Sequence, residues 1–172
     1  MVDIQTVSIA IASAGVFAAA IYYILQIRHQ TRIRKTDILM RLHLASSTRE
    51  FMEAALKVRT SNYKDYDAFV EKEGSLASGG EAQIAFSLMG QFFEGIGVLL
   101  KNKLADIDLV AQLFGVERYW MKMKPLVEDF RKMSNNPKLY EWFEYLYNEV
   151  KKREQKLEQS KLNNSPKIPG SP

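Results

Sequence analysis

Residues 4–27 read IQTVSIAIASAGVFAAAIYYILQI, twenty-four positions without one charged side chain. As a helix this stretch is about 36 Å long, more than the ~30 Å hydrocarbon core of a bilayer. Its polar residues are Gln5, Thr6, Ser8, Ser13 and Gln26. Those near the ends reach the interface, and a helical serine can satisfy its hydroxyl on its own backbone carbonyls. Tyr22 and Tyr23 stand near the C-terminal end, where amphipathic rings favour the headgroup level. A cleavable signal peptide would want a basic leading segment, yet Asp3 is the only charge before the run. The ASA and AAA triplets offer small residues for cleavage, but YYIL carries the apolar run past them. An interfacial helix would show a strongly polar face, which is missing here. The sequence therefore predicts a transmembrane helix over 4–27.

Arg28, Arg32, Arg34, Lys35 and Arg41 crowd just beyond that span. Positive charge on one flank places that flank in the cytoplasm. The expected topology is single-pass in the inner (plasma) membrane, with residues 1–3 outside and 28–35 as a basic juxtamembrane segment. Each basic residue near anionic headgroups adds ~1 kcal/mol of attraction, although orienting the span is the simpler role for the cluster. Within the span, Ala10, Ala14 and Ala18 repeat at four-residue spacing, as do Gly15 and Ala19. Such small-residue faces let two helices approach closely, so a homodimer through the span is an expected partner state.

Beyond the basic cluster the apolar spacing turns helical. Ile38, Leu42, Ala45, Met52 and Leu56 keep a three-and-four rhythm. No proline or glycine separates Ile27 from Val58, so one helix can run from the span as far as Thr60-Ser61-Asn62. A short helix fits KDYDAFVEKE, closed by Gly74 and the stretch SLASGG. The next, GEAQIAFSLMGQFFEGIGVLLKNK, is apolar nearly all round, the pattern of a central bundle member. Its uncharged interior, 82–93, is too short to span a bilayer. Gly90, Gly95 and Gly97 each weaken the helix by up to ~1 kcal/mol, which close approach of a neighbour would offset. Asp106 can cap a helix that ends at Gly115, and Val116, Trp120, Met123, Val127 and Phe130 form the stripe of another. Pro125 should kink or divide that helix, and Pro137 is placed to start the last one. In that last helix Leu139, Phe143, Leu146, Val150 and Leu157 make the apolar stripe. No alternating strand pattern appears. The expected fold is all-α: the membrane helix, a cytoplasmic bundle of about five helices over 36–158, and a disordered tail over 159–172.

Composition narrows the chemistry. The 172 residues carry a formal charge of +4, no cysteine and two histidines. Disulfides, thiolate metal sites, iron–sulfur clusters and a cysteine nucleophile are excluded. Residues 28–60 hold a net +5 and residues 61–160 a net −2. The excess positive charge is therefore juxtamembrane, where anionic lipid competes for it, and nucleic acid is a disfavoured partner. His29 and His43 lie about 21 Å apart along one helix and cannot share a metal. The Glu-x-x-His pairs of a di-metal bundle are absent, and no nucleophile-elbow pattern supports a serine hydrolase. The sequence thus predicts neither a metal nor a cofactor.

Glu94 is the most notable single residue. It lies between Phe92-Phe93 and Ile96 on the most apolar soluble helix. An unpartnered buried carboxylate would have a raised pKa and could serve as an acid/base or ligand-sensing group. The simpler reading is a structural polar core in which Glu94 accepts from Arg131, the Trp120 indole or a tyrosine hydroxyl. The aromatic residues Trp120, Trp142, Phe143 and Tyr145 follow helix periodicity and read as core rather than a ligand cage.

The runs FFEGIGVLLKNKLADIDLVAQLFG and YWMKMKPLVEDFRKMSNNPKLYEWFEYL resemble a prokaryotic family of unknown function. Its members join an N-terminal membrane helix to a small helical cytoplasmic domain. The resemblance rests on Phe93-Glu94, the Asp106–Phe114 helix, Trp120, Pro125, Arg131 and the 140–143 segment, over roughly residues 10–150. It implies that architecture and a bacterial or archaeal source, and it implies no reaction. Two functions follow as expectations. One is a non-enzymatic, membrane-anchored adaptor or sensor module with a protein partner; the other is a membrane-bound hydrolase or nuclease-like effector using Glu94.

Overall fold

A computed structural model describes residues 3–75 and 78–164, and all regular structure in them is helical. Helix α1 spans Ile4–Ala45, α2 Arg49–Thr60, α3 Tyr66–Glu73 and α4 Glu81–Lys101. Then follow α5 Ile107–Leu113, α6 Val116–Met133 and α7 Glu141–Asn164. Six helices thus follow α1 among the described residues, one more than the sequence suggests, because the helix leaving the span is cut in two. The cut needs no glycine or proline. The Ser46 and Ser47 hydroxyls donate to the His43 carbonyl at 2.7 and 2.9 Å, and Thr48 Oγ1 accepts from Phe51 N–H at 3.3 Å. Three hydroxyl residues in a row thus close one helix and cap the next.

Helix α4 is the axis of the bundle and packs chiefly on α7 and α2. Nine of its residues are buried, among them Phe86, Met89, Phe93 and Ile96. The Phe93 ring stacks on Phe143 at 4.8 Å, Trp120 meets Phe143 edge-on at 5.0 Å, and Phe69 meets Phe86 at 5.4 Å. These aromatic layers tie α3, α4, α6 and α7 into one core. Helix α1 joins it only through its last turns, where Leu39 is fully buried and Leu42 partly so, against α5.

Two further boundaries differ from the sequence reading. Pro125 lies inside an uninterrupted α6, so it does not divide that helix. Pro137 does not open α7 either: residues 137–140 form turns, and Tyr140 adopts a left-handed backbone (φ 55°) immediately before the helix. At the other end α7 runs on to Asn164, into the segment expected as tail, and residues 165–172 lie outside the described ones. Leu157 is exposed rather than part of the stripe, whereas Phe143, Leu146 and Val150 are buried.

Candidate functional site

The most organised polar locus lies where α4 meets the start of α7. Gly90, Glu94 and Gly97 recur every three or four residues and so share one face of α4. A Cβ at Gly90 would stand 2.6 Å from the Tyr140 ring, and one at Gly97 would overlap the Trp142 carbonyl. Only hydrogen fits at either point. Gly95 faces open space, so the close approach expected of three glycines is made by two.

That approach brings the Glu94 carboxylate onto the first turn of α7. Such a turn leaves N–H groups without intrahelical partners. Glu141 N–H bonds back to the Lys138 carbonyl, and Glu144 N–H to the Tyr140 carbonyl. Glu94 Oε2 accepts from Phe143 N–H at 2.8 Å, and the Trp142 N–H also faces this carboxylate. Tyr140, at the position that Ser, Thr, Asp or Asn usually fills, has no short acceptor to offer. Glu94 therefore caps α7 from a different helix.

Burial pushes the Glu94 pKa above the ordinary glutamate value. The N–H groups of Phe143 and Trp142 oppose that shift, Glu141 adds to it, Arg131 opposes it, and the net direction is upward. Tyr140 is raised too, by burial and by the nearby Glu94.

Arg131 and Trp120 stand beside this locus without bonding to Glu94. Arg131 Nε donates to the Leu139 carbonyl at 2.8 Å and its Nη1 to Glu144 Oε2 at 2.7 Å, pinning the turn that leads into α7. Its Nη2 is buried with no partner. Trp120 is buried between Phe143 and Tyr147. The three residues read as one polar core thus divide into a helix cap, a turn clamp and an aromatic packing element. Below Tyr140 opens an apolar cavity of about 300 Å³, lined by Phe86, Ser87, Met123, Leu126, Val127, Phe130, Leu139 and Tyr140.

On α1 the basic residues Arg28, Arg32, Arg34 and Arg41 are exposed and Lys35 is partly buried. Arg41 pairs with Asp37 at 2.9 Å one turn away. Ala14, Gly15, Ala18 and Ala19 are all exposed, while the Ala10 side chain lies outside the described residues. Among the described residues no three of His, Asp and Glu gather closely enough to hold a metal ion.

Sequence reasoning missed that the partner of Glu94 is backbone. Peptide N–H groups leave no mark in a sequence; the available signal was the Gly90-Glu94-Gly97 register, which marks a face built to receive a chain.

A helical bundle carried on a long apolar helix, with its last helix capped across the core, is the class of protein that these features define. The chain belongs to the family described as a domain of unknown function, DUF4760, whose model matches residues 9–150. No curated protein and no solved structure matches it.

Proposed function

We propose that this chain is a membrane-anchored cytoplasmic interaction module, held at the inner face of the membrane by residues 4–27. One observation carries the reading: α1 is long and apolar enough to cross a bilayer, and none of its apolar window is buried in the fold. Large side chains such as Ile11, Val16, Phe17 and Ile21 are each more than half exposed. A continuous apolar surface of that size demands a non-aqueous environment. The basic residues beyond it favour a cytoplasmic bundle and contact with anionic headgroups.

The reading is non-catalytic because the one carboxylate suited to acid/base work is already engaged with the backbone of α7. The enzymatic alternative would need Glu94 free to reach a substrate. The upward shift of its pKa is what favours that alternative, and Glu94→Gln separates the two. Gln keeps the acceptor for Phe143 N–H, so an interaction module keeps its fold and its partners, whereas a hydrolase loses turnover.

Flotation and alkaline carbonate extraction of the full chain from inner-membrane vesicles test the anchor. The intact polypeptide should stay with the lipid. Release into the carbonate supernatant, or a mature mass lacking the first twenty-odd residues, would overturn the proposal.

A further inference from the structure

Helix α1 has two sides with different fates. Leu39 and Leu42 face α5, whereas Ile33 and Met40 point away and stay about half exposed. With Ile33 and Met40 at heptad position a, the a positions are Ala19, Gln26, Ile33 and Met40, and the d positions Gly15, Tyr22, His29 and Thr36. Leu39 then falls at g, on the flank of the last layer of this seam, and Leu42 at c, outside it. A shallow groove runs along α1 itself, lined by His29, Arg32, Ile33, Thr36, Asp37 and Met40. In a parallel two-stranded coiled coil an a knob enters a hole bounded by the preceding d and g, the a, and the following d. Here those are His29, Arg32, Ile33 and Thr36. The next hole is bounded by Ile33, Thr36, Asp37 and Met40. The six groove residues are two consecutive knob holes.

We infer that this groove receives the same segment of a second copy of the chain, in a parallel dimer whose seam runs from Gly15 to Met40. Charge complementarity selects this occupant. Arg32 occupies g and Asp37, which also holds Arg41 at 2.9 Å on its own helix, the e position five residues on, the pairing that bridges the two strands of a parallel coiled coil. Two-fold symmetry makes two such Arg32–Asp37 pairs. The parallel orientation rests on the membrane-tethered reading; the seam does not. Continuity of the helix also chooses between the small-residue faces of the span. Ala14 and Ala18 fall at c and g, in line with Leu42 and Leu39, so a copy running along them would meet the bundle. Gly15 and Ala19 fall on the seam. Gln26, His29 and Thr36 are polar seam layers, which fix register at a cost in stability. Confinement to the bilayer offsets that cost by raising the effective concentration of the partner.

The chain has no cysteine, so single-cysteine variants of the full chain in membranes test the seam by oxidative crosslinking. Ile33→Cys, Met40→Cys and Ala19→Cys should form disulfide dimers several-fold faster than Thr31→Cys, Arg34→Cys and Ala14→Cys. Arg32→Glu should slow Met40→Cys crosslinking about threefold, and adding Asp37→Arg should restore it. Equal rates at all positions would mean random collision and overturn the seam. Faster crosslinking at Ala14→Cys would assign the other face and overturn it as well. Flotation of the same samples separates the two proposals. Protein that floats without crosslinking refutes the dimer and leaves the anchor; protein that crosslinks with this periodicity without floating refutes the anchor and leaves the seam.

Discussion

The first half of α1 and the whole of α4 are the two long apolar helical segments among the described residues, yet the fold treats them oppositely. Helix α4 buries nine residues, and Gly90, Gly97 and its one interior carboxylate each meet a defined feature at the start of α7. Among the described side chains of residues 4–27, every one is exposed. What distinguishes the buried apolar helix from the exposed one here is therefore complementarity to a neighbour. Gly90, Glu94 and Gly97 are useless against lipid and necessary against α7; an even coat of Ile, Val, Ala and Phe is the reverse.

Lysine substitution should break the comparison most visibly. Met89→Lys places an unpaired charge in the core and should destabilise the bundle by about 4 kcal/mol, seen as a collapse of the thermal transition. Phe17→Lys should leave that transition unchanged while costing membrane insertion about 3 kcal/mol, read by carbonate extraction. Next come the glycines. Gly97→Ala sets a methyl against the Trp142 carbonyl, which cannot rotate away, and should cost about 2–3 kcal/mol in chemical denaturation.

Glu94 supplies a smaller effect with a pH signature. Glu94→Ala removes the cap and should cost about 1–2 kcal/mol. Because its folded pKa is raised, the native state holds this proton more tightly than the unfolded chain. Its contribution is thus fully present below the ordinary glutamate pKa and falls as pH rises through the folded value. Glu94→Gln should flatten the stability profile over that window, measured by melts across mildly acidic pH. The smallest expected change is a gain. Gly95→Ala fills open space on a helix and should stabilise it by up to about 1 kcal/mol, opposite in sign to Gly97→Ala two residues on.

Much of this organisation was legible in the sequence. Helix class, the central place of α4, and the caps at Asp106 and Gly74 all follow from periodicity and capping chemistry. The break at Ser46-Ser47-Thr48 was hidden because hydroxyl residues are tolerated inside helices and end one only when they cooperate. The start of α7 was misread at Pro137 because Tyr140, whose ring packs against Gly90, adopts a backbone that local propensity disfavours. Glu94 was recognisable as unusual, but its capping role depends on a contact forty-nine residues away in the chain. Local pattern reveals which residues are out of place; only the packed helices show what they are for.

The proposed anchor places the two ends of α1 on opposite sides of the membrane. A membrane-impermeant maleimide applied to intact cells should label Asp3→Cys, and should label the exposed Lys101→Cys only after permeabilisation. Labelling of Lys101→Cys in intact cells, with Asp3→Cys protected, would contradict it.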